Sequence, residues 1–333
     1  MELNGKKIII TCGGGLGDML TFTPALRRLK AKWPDCNLVF LTKYGAHEVL
    51  ARLEYIDKLT YIRRGTLLGR YRVLPDIWGA DAIVFTEWQP QILAVSKLIN
   101  IPLRAGISRE NHRLNDYLTY HIKHRVMGES AYAAVTHANM ISESLGIELD
   151  GDMSELDVSK PNQEEVDGAN RLLNNIGINP QEPYVLLSPY TSYYKRDWPE
   201  KEIEKLIRMI DQKIGIPVIL LGDKSLSQTP IAKYNLIGKT KVMEMVELIR
   251  RAKCIVTTDS GPMHVAAALG RSCVALFSKD LPSRWAPRHN CRVVYLKKSC
   301  SPCNDEALHA CNNPECIKDI SADTVFREVE CFL

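Results

Sequence analysis

Two short stretches of this chain hold the residue types that chemistry uses. The first, TCGGGLGDML at 11–20, sets Gly13, Gly14, Gly15 and Gly17 directly before a carboxylate, Asp18. A glycine turn between a strand and a helix usually cradles phosphate. Here the G-x-G-x-x-G pattern fits at Gly13 and Gly15 but meets Asp18 at its third glycine, and no G-K-[ST] follows. Both phosphate readings fail on the sequence, because neither motif is completed. Two readings of Asp18 stay open: an N-cap for the following helix, worth about 1 kcal/mol, or a general base beside a substrate hydroxyl that approaches the glycine backbone.

The second stretch is TTDSGPMHVAAALG at 257–270. Asp259 ends a strand, Ser260 and Gly261 make a tight turn, and Pro262 suits the first helical position, where a missing N–H does no harm. The free N–H groups of that turn and the helix dipole form an anion site that suits a diphosphate. His264, one turn into the helix, either reaches a phosphate or sugar oxygen or is a partly buried, hydrogen-bonded histidine. Asp259 can cap this helix and position a ligand as well.

A third stretch, CSPCNDEALHACNNPEC at 300–316, brings together Cys300, Cys303, Cys311 and Cys316. A C-x2-C pair with two cysteines nearby matches tetrahedral thiolate binding of zinc or iron. Such an ion would be structural, since four protein ligands leave no open position, and His309 could replace one cysteine. The alternative is a loop of reduced or occasionally oxidised thiols. The other six cysteines are scattered and make no disulfide scaffold.

The elements that must position these residues read as strands alternating with helices. Strands are expected at 6–12, 38–42, 57–62 and 81–85, with helices at 19–33, 91–99 and 130–147, the last with Gly146 near its C-cap. The character changes over 150–183, which holds a domain connection and a helix at 164–175. A second set follows, with strands at 184–190, 217–222, 254–259 and 272–278 and helices at 201–214, 242–252 and 262–270. The pattern predicts an α/β protein of two Rossmann-like domains, 1–160 and 161–320, facing across a cleft. Residues 321–333 read as a last helix that crosses back onto the first domain.

With 333 residues, either half can bury a core of its own. A net charge of +4 is too weak for a nucleic-acid partner, and suits anionic small molecules or a membrane surface. Basic stretches at 63–72 and 109–125 read as solvated faces, or as arginines for a phosphorylated partner. No signal peptide or membrane-spanning run is visible, so a cytoplasmic protein is expected.

Taken together, GLGDMLTFTPALRRLK (15–30) and TTDSGPMHVAAALG (257–270) resemble the two signature segments of the ADP-heptose:lipopolysaccharide heptosyltransferases, glycosyltransferase family nine. KRDWPEKEIEKL (195–206) is similar to the family's Lys-x-Trp-Pro segment, and LLGDKSLS (220–227) to a strand end that carries an acidic donor contact. The resemblance implies the GT-B architecture and inverting transfer of heptose from ADP-heptose to a lipid-linked or phosphorylated core sugar. It implies no catalytic metal and a place at the inner face of the membrane. It implies Asp18 as base, with Gly15 and Gly17 on the acceptor side. Asp223, Asp259, Ser260, Gly261 and His264 would meet the donor, with either Lys195 or Arg196 as the cation. Some relatives that glycosylate autotransporter proteins hold iron in a similar cysteine-rich stretch. The segment PYTSYY (189–194) departs from the small residues the family often shows there, which leaves the donor sugar open. Another nucleotide sugar, a protein acceptor, or nucleotide-sugar binding without turnover are the alternatives.

Overall fold

The computed structural model describes residues 2–42, 45–62, 73–123, 131–223 and 232–333. The basic stretch at 63–72, the end of the second one at 124–125, and 224–227 of the segment after Asp223 lie outside the described residues. The described residues form two compact units, Met1–Ser159 and Lys160–Leu333.

The first unit is built on strands β1 (Lys7–Cys12), β2 (Asn37–Thr42), β3 (Lys58–Tyr61), β4 (Ala82–Phe85), β5 (Leu103–Gly106) and β6 (Tyr120–His121). Their order across the sheet is β3-β2-β1-β4-β5-β6, and every pairing is parallel. The second unit has β7 (Val185–Ser188), β8 (Val218–Leu220), β9 (Tyr234–Asn235), β10 (Cys254–Thr258), β11 (Cys273–Phe277) and β12 (Cys291–Tyr295). Its order is β12-β11-β10-β7-β8-β9, again all parallel. Numbered within each unit, the two sheets have the same order, 3-2-1-4-5-6, of the doubly wound dinucleotide-binding fold.

A parallel sheet is covered by helices on both faces, so its central strands must be apolar throughout. Ile8, Ile9 and Ile10 of β1 and Leu186 and Leu187 of β7 are fully buried. The covering helices of the first unit are α1 (Leu16–Lys32), α2 (Leu74–Ile77), α3 (Pro90–Leu98) and α4 (Ala133–Leu145). Those of the second are α5 (Gln163–Asn175), α6 (Glu200–Lys213), α7 (Val242–Arg251), α8 (Gly261–Ala268), α9 (Pro282–Trp285), α10 (Asp305–Ala310), α11 (Glu315–Lys318) and α12 (Ala322–Glu330). Pro24 lies inside α1 and cannot donate to the Leu20 carbonyl; the Thr23 hydroxyl does so instead, at 2.6 Å. α4 ends at Gly146 in a left-handed cap, φ 60°.

Three differences from the sequence expectations have physical causes. α1 begins at Leu16 rather than Met19, because Gly15 takes the N-cap position. β5, β6, β9 and β12 had no strand expected over them. Three of these are two to four residues long, too short to show a period, and β12 is an edge strand with two exposed positions. The last helix, expected to return to the first half, packs in the second unit. Val325, Phe326 and Val329 of α12 join the core that holds Ile203, Leu206 and Ile210 of α6.

Candidate active site

In a doubly wound sheet, ligands bind outside the carboxyl ends of the strands where the strand order reverses. In the first unit that point lies between β1 and β4, and in the second between β7 and β10. β7 ends on Ser188 and β10 on Thr258, while β1 runs into glycines and β4 into Thr86 and Glu87.

At the first switch point the glycine turn leaves β1 and enters α1. Gly15 is the N-cap, so Asp18 is the third helical residue rather than the cap itself. Its Oδ2 accepts the Gly15 N–H at 2.9 Å, which ties the carboxylate back over the turn. A Cβ on Gly14 would overlap the Asp18 carboxylate and lie 2.6 Å from its Cβ. Only glycine lets the acid fold onto the backbone this closely. A Cβ on Gly13 would overlap Oε2 of Glu87, just past the end of β4. Two carboxylates therefore flank consecutive glycines. Glu87 was missed in the sequence; the switch-point rule, applied to the residues after 81–85, is the signal that finds it. Below the turn, Thr21 Oγ1 donates to the Asp18 carbonyl at 2.8 Å and shares a 3.1 Å hydrogen bond with His137 Nδ1. The His137 ring stacks on Phe22 with centroids 3.8 Å apart, which fixes the first turns of α1. Gly15 and Gly17 line this turn and are half-buried.

Two open grooves of the first unit, about 740 and 580 Å³, lie elsewhere. One is lined by Lys32, Trp33 and Glu143 and the other by strand starts such as Lys7 and Asn37. Neither includes Asp18, so groove size does not mark the chemistry here.

The second switch point is built around a cation. After β7 the chain makes a loop closed by Asp197, whose Oδ1 accepts the Thr191 N–H at 2.6 Å. Burial pushes the Asp197 carboxyl up to about 6 against the opposing pull of the Thr191 hydrogen bonds and Arg196. Trp198 anchors the loop in the core, 1% exposed, with its indole N–H on the Ile320 carbonyl at 2.9 Å. So held, Arg196 reaches the end of β10. Its Nη2 donates to the Asp259 carbonyl at 2.9 Å and pairs with Asp259 Oδ2 at 3.0 Å and Asp280 Oδ2 at 3.5 Å. Asp280 was also missed; it follows β11 in a loop with no motif of its own.

Ser260 is the N-cap of α8, and Pro262 lies in its first turn. The Ser260 hydroxyl does not cap the helix; it turns back to the Thr258 carbonyl at 3.1 Å, which leaves the helix end to other partners. His264 is buried, 3% exposed, edge-on to Trp285 at 6.0 Å. Burial holds its imidazole down to about 4, so it is neutral at pH 7. His264 Nδ1, Thr258 Oγ1 and Arg196 Nε are buried without a hydrogen-bond partner among the described residues. Buried polar atoms left unmade in this way are rare and carry a desolvation penalty. Three of them around one helix start mark a place prepared for a polar ligand.

The remaining predicted residues divide. Lys195 Nζ donates to the His309 carbonyl at 2.6 Å. Asp223 is exposed just after β8. Cys300, Cys303, Cys311 and Cys316 are free thiols near the surface. The Cys316 thiol is pushed up first by burial and then by Cys300, Cys303 and Cys311, so the four sulfurs gather in one region. No three His, Cys, Asp or Glu side chains among the described residues are arranged to hold a metal ion, so the fit to zinc or iron is one of neighbourhood and not of ligand geometry.

No helix among the described residues is long and apolar enough to cross a membrane. Among known proteins, the chain is 24% identical to lipopolysaccharide heptosyltransferase 2 of Salmonella typhimurium strain LT2, over 87% of this chain and 88% of that one. Its fold is similar to that of the glycosyl transferase family 9 protein of Veillonella parvula, with TM-score 0.83, 18% identity and 100% and 98% of the two chains covered. It is also similar to E. coli ADP-heptose LPS heptosyltransferase II, with TM-score 0.72, 21% identity and 98% of each chain covered. The family model of glycosyltransferase family 9 (heptosyltransferase) matches residues 93–311, which include Arg196, the Asp259–His264 turn and most of the cysteine-rich segment, and this chain of two doubly wound halves belongs to that family of glycosyltransferases.

Proposed function

We propose that the protein transfers a heptose, or a closely related sugar, from an ADP-sugar to a core-type sugar acceptor of lipopolysaccharide, with inversion at the anomeric carbon. Family membership supports sugar transfer; the names of the relatives support ADP-heptose as donor and lipopolysaccharide core as acceptor. The observation that carries the assignment of the halves is Arg196 held at the start of α8, where its own Nε and two further buried polar atoms, Thr258 Oγ1 and His264 Nδ1, lack partners among the described residues.

In this reading the donor diphosphate meets the amide end of α8 and Arg196, with Ser260, Gly261 and His264 beside it and Asp259 behind the cation. Arg196, rather than Lys195, is the cation, because Arg196 reaches the Asp259 end of β10 at the start of α8 while Lys195 Nζ reaches the His309 carbonyl of the cysteine-rich segment. Asp223 is the acidic contact further along the donor. The acceptor hydroxyl approaches the glycine turn at Gly15 and Gly17. As its oxygen bonds to the anomeric carbon, the bond from that carbon to the diphosphate breaks. The hydroxyl proton passes to Asp18, and the developing negative charge on the leaving ADP is met by Arg196 and the helix dipole. A neutral His264 suits this site as a hydrogen-bond partner that adds no charge. The acceptor would be lipid-linked, which places the enzyme at the inner face of the membrane as a peripheral protein.

Transfer assayed over a panel of nucleotide sugars tests the donor. Retention of turnover with a non-adenine nucleotide sugar and none with ADP-sugars would remove the donor assignment. A structural zinc or iron at the four cysteines is the reading the mutual influence of the thiols supports. Elemental analysis tests it, and less than about 0.2 metal per chain favours free thiols.

A further inference from the structure

Arg196 is gripped through one nitrogen by two carboxylates that come from different loops. Asp259 belongs to the turn that opens α8. Asp280 belongs to the loop after β11, and that loop is held by the cysteine-rich segment. Ser301 Oγ donates to the Ser278 carbonyl at 2.7 Å, the Cys303 N–H to the Lys279 carbonyl at 3.2 Å, and Lys279 Nζ pairs with Asp305 Oδ1 at 2.5 Å. The same segment takes Lys195 through the His309 carbonyl and packs the His309 ring near Tyr193, centroids 5.0 Å apart.

We propose that Asp280 is a positioning residue that holds Arg196 for the donor's diphosphate, with segment 300–311 as the brace that holds Asp280. The proposal rests on the reading of Arg196 given above. A free arginine side chain loses rotamer entropy when a ligand fixes it. Fixing it before the ligand arrives removes that cost from binding. Asp259 holds Nη2 by hydrogen bonds to its carbonyl and Oδ2, and Asp280, 3.5 Å away on another loop, adds a second negative charge that favours this placement of the guanidinium. Asp280 also carries the same sign as a diphosphate. Its side chain is 29% exposed, however, so water screens that repulsion, whereas its contact with Arg196 is direct. An ion pair with one partly exposed member adds little to stability. Loss of Asp280 should therefore move ligand affinity and leave the fold in place.

The test uses the full chain, with ADP as probe and adenosine as control. Asp280→Asn should weaken ADP about fivefold and raise donor KM by a similar factor with kcat little changed. Adenosine affinity should not move, and Asp280→Glu should recover most of the loss. In an Arg196→Met background Asp280→Asn should add nothing, since its effect runs through that guanidinium. Lys279→Met, which releases the loop from Asp305, should weaken ADP about twofold. ADP binding that is unchanged or tighter in Asp280→Asn, while Arg196→Met weakens it, overturns this inference and keeps the reading of Arg196. Equal losses for ADP and adenosine would mean a collapsed loop and overturn it too. ADP affinity that Arg196→Met does not alter, or a wild type that ignores ADP, overturns both.

Discussion

The two halves present the same sheet order and different charged groups at the same place, carboxylates at one and an arginine paired with carboxylates at the other. At the β1/β4 switch point, Asp18 and Glu87 bring two carboxylates against a run of glycines. At the β7/β10 switch point, a single arginine stands at a helix start, with unpartnered polar atoms around it. Backbone topology therefore chooses where a ligand goes, and side chains choose which ligand. A carboxylate at the end of a glycine turn repels phosphate and accepts a proton. A guanidinium beside free amide groups does the reverse. In the proposed reading, the first site serves the group that must lose a proton and the second the group that must leave with charge.

The sharpest way to break this contrast is to neutralise the first site. Asp18→Asn keeps the Gly15 hydrogen bond within reach of its amide oxygen and removes the base. Turnover should fall at least about 100-fold with ADP affinity unchanged, measured by steady-state transfer and by nucleotide titration. Unchanged turnover would return Asp18 to a purely structural role.

Acid should separate the halves next. His264 is held neutral by burial, with its pKa lowered from 6.5 to about 4. Its contribution is fully present above 6.5 and is lost as the pH falls through that window, amounting to about 2 kcal/mol at pH 5. Asp197 works the other way, since its raised pKa of about 6 makes its protonation favour the fold as the pH drops. His264→Gln isolates the histidine: hydrogen exchange over 261–268, corrected for intrinsic rates, should then change less between pH 7 and pH 5 than in wild type. Equal change in both proteins would mean that the imidazole already finds a partner.

Smaller effects test the glycines. Gly14→Ala drives a methyl into the Asp18 carboxylate near its Cβ, which cannot swing aside. Turnover should fall about tenfold and stability by about 1–3 kcal/mol. Gly13→Ala meets only the far end of Glu87, a flexible side chain, and should fall by about threefold or less. Initial rates on the same acceptor rank the two, and a reversed order would move the carboxylate that matters from Asp18 to Glu87.

Legibility in the sequence followed the distance over which each feature is encoded. The central strands and long helices were readable, because apolar runs such as IIIT and helical spacing in KEIEKLIRMIDQK act within a few residues. Asp18 and the 257–270 turn were readable for the same reason. The choice between Lys195 and Arg196 was not, since it depends on an Asp259 carboxylate 63 residues away. Asp280 and Glu87 have no local signature, since they come to Arg196 and to the glycine turn only once parallel strands set their ends side by side.

The sequence by itself determined that the chain would make two layered α/β halves, with a carboxylate after one glycine turn and an amide-rich helix start in the other. These follow from periodicity and backbone chemistry over short stretches. Tertiary structure alone decided that Gly15 and not Asp18 caps α1, that Arg196 turns to α8 while Lys195 turns to His309, and that the cysteine-rich segment grips the β11 loop. Those outcomes depend on contacts between residues far apart in the chain, and only packing brings such residues within reach of one another.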